Sequence, residues 1–335
     1  MELASLQVRF KRAGVCLNYS RRVENCFPED VRDSMGIDSG TNYKCKLMTK
    51  CLSSLLALQL LTIGFAFGQS TDSSSDSASV LYMANEGFMV TSGETKVVFD
   101  PLFRNGYGHY QLLPRSMEEA LFAGTPPFDG IDAVFVSHYH GDHFSPEDVL
   151  RLLKVRQDIR LYAPMQAVKA MRRIASPEDK PVFERVTAVE LAYKDAPVSM
   201  EMNDLKIEAV RIPHAGWPTG RLDIANISWR VTLNETTTVL HMGDADPNDV
   251  HFDRDADYWA KGHTHMAFPP YWFFSSNGGE AILRQRIRAD HNVGVHVPLA
   301  VPNNLRGFDL FTRPGESRKI PISTNSAVET KNIVK

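Results

Sequence analysis

The sequence predicts an α/β fold, a sandwich of two β-sheets with helices on the outer faces, and three observations carry that reading. Short β-branched and aromatic runs recur along the chain, at residues 131–136, 205–212 and 237–241 among others, and such composition suits buried strands. Between them lie stretches that carry helix start signals. The alternation falls into two halves, and strands alternating with helices bury both element types when two sheets pack face to face beneath outer helices. From Gln69 onward the chain has the length of one such domain.

In chain order, residues 69–79 form a Ser-rich linker and the domain is expected over residues 80–312. Residues 116–122 predict a helix and residues 131–136 a buried strand. Ser145-Pro146-Glu147-Asp148 is a helix start. Ser145 serves as N-cap, Pro146 sits where a missing N–H costs nothing, and Asp148 occupies the third position of the capping motif. Further helices are expected at residues 165–174 and 279–288. Strands at 205–212, 227–233 and 237–241 follow, the last two joined by a hairpin turn at Asn234-Glu235. Residues 293–297 predict a late strand. The tail, residues 313–335, is polar and is expected to be loosely ordered.

The chemistry is concentrated in Ser137-His138-Tyr139-His140-Gly141-Asp142-His143, which leaves the strand at 131–136. Imidazole nitrogen and carboxylate oxygen are donors that borderline divalent ions accept, and a tight turn at a strand end gathers them around one point. Chance would assemble three His and one Asp in this pattern with odds on the order of one in a thousand. The pattern, His-x-His-x-Asp-His after a buried strand, resembles that of the metallo-β-lactamase superfamily of metal-dependent hydrolases.

That resemblance implies an αββα sandwich of two mixed sheets and a ligand set spread over four strand ends. His214 ends Val210-Arg211-Ile212-Pro213-His214, Asp244 follows Gly243 after an apolar strand, and His296 follows Val293-Gly294-Val295. By the resemblance, His138, His140 and His214 hold one metal, Asp142, His143 and His296 a second, and Asp244 bridges them. His291 is a rival to His296, which is preferred because it directly closes the Val-Gly-Val run. The implied cofactor is two divalent ions, zinc first, with manganese and iron as alternatives. A divalent ion lowers the pKa of bound water from about 16 to about 7, so the implied reaction is hydroxide attack on an ester, lactone or phosphodiester. Asp142 and Asp244 are the candidate catalytic residues, Asp142 orienting the nucleophile or moving its proton. Ser137, Asp132 and Asp246 are candidates for fixing the imidazole tautomers.

Within the superfamily, Asp244 separates this chain from true metallo-β-lactamases, which generally lack a bridging Asp there. The segments at 82–90 and 97–103, with Asp100-Pro101, are similar to the opening hairpin of a subgroup that includes ascorbate-phosphate lactonases and the phospholipase D acting on N-acyl-phosphatidylethanolamine. The aromatic run Tyr271-Trp272-Phe273-Phe274 adds to the likeness. Gly141 and Tyr139 depart from it, standing where that subgroup often has Tyr and Asn. Asp100 is either a support for the ligands or a turn former. His263 and His265, two apart on one face of an expected strand, either join a metal site or line the substrate pocket. The alternatives to a general exported hydrolase are a phospholipase-like lipid hydrolase and a non-catalytic metal-binding sensor or scaffold.

Upstream, Met48-Thr49-Lys50 precedes an apolar run ending in Ala66-Phe67-Gly68, the pattern of a signal peptide cleaved before Gln69. Residues 48–68 are therefore expected to direct export to the periplasm or outside the cell, and residues 1–47 to be a non-native upstream extension. If the extension is retained, the run of about seventeen apolar residues is short for a membrane anchor, and the flanking charges still send the C-terminal domain across. All four cysteines precede Gln69, so neither a disulfide nor a thiolate ligand is expected in the mature chain. The formal net charge of −3 argues against nucleic acid as substrate, since phosphate backbones draw basic surfaces. No Gly-rich nucleotide loop follows a strand. The expected partner is a small-molecule or lipid substrate, with no stable membrane anchor after cleavage and a homo-oligomer left open.

Overall fold

The computed structural model describes residues 78–321. The upstream extension, the signal segment, the linker up to residue 77 and the tail from residue 322 lie outside the described residues. Among the described residues no helix is long and apolar enough to cross a membrane.

Two mixed sheets form the body. The first has seven strands in the order β13-β1-β2-β3-β4-β5-β6: β1 (Ser79–Ala84), β2 (Gly87–Ser92), β3 (Thr95–Phe99), β4 (Ile131–Phe135), β5 (Arg160–Pro164), β6 (Val186–Val189) and β13 (Ser317–Lys319). Strands β3 to β6 run parallel, while β13, β1, β2 and β3 pair antiparallel. The second has the order β12-β11-β10-β9-β8-β7: β7 (Val198–Met202), β8 (Leu205–Arg211), β9 (Ile227–Leu233), β10 (Thr237–His241), β11 (Met266–Phe268) and β12 (His291–Asn292). Its first four strands are antiparallel, and β10, β11 and β12 are parallel.

Alternation along each strand sends one set of side chains between the sheets and the other outward. Val80, Tyr82, Phe88, Val97, Phe99, Ala133 and Phe135 from the first sheet meet Ile207, Ala209, Trp229, Val231 and Phe268 from the second, all fully or nearly fully buried. Phe88 lies 4.0 Å from Phe268, ring centre to ring centre, across the interface. The fully buried Trp229 also donates from Nε1 to Val136 O (2.9 Å), so the indole both fills the core and ties β9 to the end of β4. Outside the first sheet pack α1 (Arg115–Ala123), α2 (Pro146–Val155) and α3 (Met165–Ile174), which bury Leu121, Val149, Leu153, Val168 and Met171. Outside the second pack α4 (Val250–Asp253), α5 (Ala256–Lys261) and α6 (Asn277–Ile282), with Phe252, Trp259 and Ile282 buried. The result is the expected αββα sandwich.

Local chemistry explains the element ends. Ser145 Oγ accepts from Asp148 N (3.3 Å) with Pro146 at the first helical turn of α2, a cap that contributes about 1 kcal/mol. Asn234 and Glu235 have φ of 51° and 60°, as a two-residue turn matched to strand twist requires. The expected helix at 279–288 begins earlier, because Ser276 caps it by accepting from Gly279 N, and it passes into a π-turn at Leu283–Ile287. The late strand is regular only at His291–Asn292. Val293 and Val295 nevertheless continue the alignment, donating to Ala267 O (2.9 Å) and Pro269 O (3.0 Å).

The tail requires a correction. Residues 313–321 are not loose: β13 pairs with β1, and Ile320 is 2 % exposed. Strand β1 would otherwise be an open edge, and the polar side chains of Ser317 and Lys319 sit on the exposed flank, which conceals a strand within a polar sequence.

Candidate metal centre

The ligand-bearing segments all leave strands at one end of the sandwich. The turn after β4 carries His138, His140, Asp142 and His143, the loop after β8 carries His214, the turn after β10 carries Asp244, and the segment after β12 carries His296. Positioning is by backbone as much as by side chain. Gly243 has φ of 54°, and a Cβ there would lie 2.4 Å from Asn226 Oδ1 and 2.7 Å from Ser137 Cβ, so only glycine allows this approach. Asn226 accepts from Asp244 N (3.0 Å) and donates to Ile212 O (3.3 Å) and Met242 O (3.1 Å). One amide thereby locks the loops bearing His214 and Asp244.

All seven residues come together, in two groups that share Asp244. His138 Nε2 and His214 Nε2 each lie 3.1 Å from His140 Nδ1, and Asp244 Oδ2 is 3.0 Å from His214 Nε2 and 3.9 Å from His138 Nε2. In the second group, Asp244 Oδ1 is 3.2 Å from both His143 Nε2 and His296 Nε2, and Asp142 Oδ2 is 3.3 Å from His296 Nε2. Tetrahedral ligation at about 2.0–2.1 Å places neighbouring donors about 3.3 Å apart. His291 lies elsewhere, its Nε2 2.8 Å from Asp309 Oδ2.

The tautomers follow from the partners of the opposite ring nitrogens. His214 Nδ1 donates to Ala215 O (2.9 Å) and His143 Nδ1 to Asp100 Oδ2 (3.0 Å). Ser137 Oγ donates to Asp100 Oδ2 (2.5 Å) and so accepts from His138 Nδ1 (3.0 Å). The Nε2 atoms of His138 and His214 are thereby left with lone pairs aimed into the first cluster, whereas His143, which against the effect of burial Asp244 and Asp100 hold well above the usual histidine range, must give up its Nε2 proton to serve as a ligand. Burial, then His143, holds His138 well below the usual histidine range. Burial, then His214, lowers His140 to about 4. Both are neutral donors at neutral pH. Burial would raise Asp244, but His296 and His143 hold it well below the usual carboxylate range. Lone pairs converging this closely repel one another, and His143 Nε2, His296 Nε2 and Asp244 Oδ1 are buried without a hydrogen-bond partner in the protein. A cation at each position satisfies them, so the residues fit a pair of divalent ions.

Asp100 resolves as a support rather than a mere turn former. It accepts from Ser137 N (2.7 Å), Ser137 Oγ, His143 Nδ1 and His241 Nε2 (2.9 Å). Burial opposes its ionisation, yet His241 and His143 hold it far below the ordinary carboxylate range. Ser137 acts with it. Asp132, in contrast, accepts from Lys96 N (2.9 Å), away from the ligands. Asp246 accepts from Gly216 N (3.2 Å) and faces buried His251 at 3.5 Å, holding the His214 loop rather than an imidazole ligand. His263 and His265 precede β11 instead of lying in it. His263 pairs with Asp290 (2.8 Å), and His265 Nδ1 accepts from Thr238 N (3.0 Å), which leaves its proton on the other nitrogen, a poor state for a ligand.

The centre floors a cleft of about 610 Å³ lined by Tyr107, Tyr110, Arg221 and Trp272 beside the ligands. Tyr110 stands edge-on to His296, with ring centres 4.1 Å apart. Sequence reasoning missed Glu86, Asn226 and His241, single polar residues beside or within apolar strands, and missed the cleft residues Tyr107, Tyr110 and Arg221.

A family match agrees with this architecture. The family described as "Beta-lactamase superfamily domain" matches residues 95–266, just over half of the chain. Over 106 residues the chain is 28% identical to an octanoyltransferase of Porphyromonas gingivalis, and the match covers 31% of this chain and 21% of that protein. The chain thus spans about a fifth of the curated relative's length. Among solved structures it is similar to a metallo hydrolase of the archaeon Ignicoccus hospitalis, at 13% identity and a TM-score of 0.49, with 73% of this chain and 99% of that one covered. It is also similar to the metallo-beta-lactamase fold protein YhfI of Bacillus subtilis (16%, TM-score 0.48, 73% and 99%). An isothiocyanate hydrolase from Delia radicum gut bacteria gives 14%, a TM-score of 0.48, and coverage of 72% and 98%. The family match over residues 95–266, together with the two mixed sheets, places this chain in the beta-lactamase superfamily as a protein of the metallo-β-lactamase fold.

Proposed function

We propose that the protein is an exported dinuclear metal-dependent hydrolase that cleaves an ester, lactone or phosphodiester bond. One observation carries this reading: seven donors from four separate strand ends converge in two groups that share Asp244, on the floor of an open cleft. The sequence from Met48 to Gly68 supports the export. When bound, the metal pair supplies an activated water and polarises the oxygen of the bond under attack. The chain supplies the rest. Asp142, at the cleft surface, holds or moves a proton at Oδ1 or Oδ2. The backbone around Gly243 and Asn226 keeps Asp244 between the two groups. Tyr107, Tyr110 and Trp272 present flat walls to the body of the substrate. Arg221, the one Lys or Arg among the described residues lining the cleft, offers a cation to an anionic group on it.

Exposed apolar side chains at the mouth favour a second reading, a phospholipase-like activity on amphiphilic substrates. Tyr107 lines the cleft and is 60% exposed, Leu222 follows Arg221 at 56%, and Leu299, hydrogen-bonded through its N–H to His109 O, is 58% exposed.

Elemental analysis of the purified protein, beside Asp244→Ala and His140→Ala, tests the centre, and hydrolysis of soluble esters, lactones and phosphodiesters against the same head groups in mixed micelles tests the substrate. About two metals per chain, fewer in both variants, and turnover abolished by a chelator are expected. No stoichiometric metal after reconstitution would overturn the reading, and faster turnover at the micelle surface would favour the lipid one.

A further inference from the structure

We propose that Glu86 is an additional ligand of the second metal position, giving that position three carboxylates and a preference for manganese or ferrous iron over zinc. The inference rests on the dinuclear reading and adds a residue that neither the His-x-His-x-Asp-His motif nor its partners include. Glu86 lies in the turn between β1 and β2, a place where carboxylates are normally solvated, yet it is fully buried and neither oxygen has a hydrogen-bond partner in the protein. Its neighbours cannot serve it. His143 Nδ1 and His241 Nε2 lie 3.8 and 3.6 Å from Oε2, but both nitrogens donate to Asp100 at 3.0 and 2.9 Å. A buried carboxylate without partners persists only if it takes up a proton or stands beside a cation. A ligand oxygen of Glu86 lies within 4.8 Å of the ligand atoms of both Asp244 and His296, two members of the second group.

The turn is also built onto that group by its backbone. Asn85 Nδ2 donates to Asp142 O (2.9 Å), and Asn85 O accepts from His296 N (3.1 Å). His296 has φ of 57° and Asn85 φ of 50°, left-handed conformations uncommon among non-glycine residues and most often taken by Asn, Asp and His. Behind Glu86, a Cβ on Gly87 would meet Ala84 O and Asp100 O at 3.0 Å, so glycine lets the turn pack closely on the end of β3. The two positions consequently differ in chemistry. The first offers three imidazoles and Asp244, a borderline, zinc-like set. The second offers two imidazoles with Asp142, Asp244 and Glu86, and oxygen-rich sets of higher coordination number suit harder ions.

The test loads the metal-free full chain and its Glu86→Gln variant with Mn²⁺ alone, with Zn²⁺ alone and with Co²⁺ alone, following calorimetric titration and the visible Co²⁺ bands. The wild type is expected to bind two Mn²⁺ per chain. In Glu86→Gln the second Mn²⁺ should bind at least tenfold more weakly, the second Zn²⁺ should change less, and the band of the second Co²⁺ should intensify as its coordination number falls. An independent arm needs no variant: in a crystal of the Mn²⁺-loaded wild type, a Glu86 oxygen should lie within coordination distance of the second ion. A wild type that binds fewer than two ions of any kind would overturn the dinuclear reading and the proposal together. Two ions with unchanged second-site affinity and spectra in Glu86→Gln, or a crystal with Glu86 remote from the ion, would overturn the proposal alone.

Discussion

Asp100 shows how one side chain governs a centre it does not enter. Its two oxygens accept from Ser137 N and Oγ, His143 Nδ1 and His241 Nε2, so the strand β3 end, the motif loop and β10 are oriented by a single carboxylate. Asp100→Asn is nearly isosteric but replaces one acceptor oxygen by an NH₂ that faces donors. His143 then loses the hydrogen bond that fixes its ring orientation, and Ser137 Oγ loses the acceptor that turns it toward His138 Nδ1. Metal affinity is expected to fall about 10- to 100-fold, measured by competition with a chromogenic chelator, with the second ion lost first. Unchanged affinity would show that the ligand rings are held by packing alone. The motif residues were readable because four donors lie within six positions, and the resemblance supplied His214, Asp244 and His296. Asp100 was visible but ambiguous, since Asp-Pro is also a turn pair. Glu86, Asn226 and His241 gave no signal, because the partner that gives each its meaning lies far away in sequence: 141 residues separate Asp100 from His241.

At the scale of elements, α2 determines how firmly the motif loop is anchored, since it begins three residues after His143. Asp148 at its first turn accepts from Arg104 Nε (2.5 Å) and Nη2 (2.7 Å) and from Ser145 Oγ (2.7 Å), while Arg104 also reaches Glu118 on α1. Burial would raise the Asp148 carboxyl, but the bonds from Arg104 and Ser145 outweigh it and lower its pKa. A carboxyl depressed in the folded state contributes stability above its unfolded value of about 3.9, and the contribution disappears as pH falls through the folded value. Asp148→Asn is therefore expected to cost about 1 kcal/mol at pH 7, the partly exposed Arg104 being screened by solvent. The difference from wild type in urea midpoint should narrow as the solution is acidified below pH 4. A difference independent of pH would assign the cost to packing. Helices with capping residues were legible to within a few positions for this reason: their ends are written in local chemistry. Strand β13 was not, because its reason for existing is the open edge of β1, more than two hundred residues earlier.

At the scale of the whole molecule, the centre is expected to act as a structural clamp as well as a site. The motif residues and Asp100 belong to the first sheet, whereas His214, Asp244 and His296 belong to the second, and at this end the two sheets are tied by the Asp100–His241 pair (2.9 Å) and by the donors of the centre itself. Resemblance supplied the pairing of the sheets. Strand patterns alone fix which segments are buried but not which neighbour each one finds, since any apolar edge accepts any other. With donors from both halves, bound metal opposes separation of the sheets and relieves the repulsion among the buried carboxylates Asp100, Asp142 and Asp244. A ligand at a hundredfold excess over its dissociation constant stabilises the folded state by about 2.7 kcal/mol. For a domain of this size each kcal/mol moves the thermal midpoint about 2–4 °C. Chelation is therefore expected to lower the midpoint by about 5–10 °C per ion lost, read by scanning calorimetry and reversed by adding back metal. His140→Ala, which removes a donor from one position only, should lose part of that difference. Because the clamp joins the sheets, hydrogen exchange in the metal-free protein should rise first at the ends of β4, β8 and β10 while the far ends of the same strands stay protected. An unshifted midpoint, or protection lost evenly along the strands, would mean that the sandwich is held by its apolar core without help from the centre.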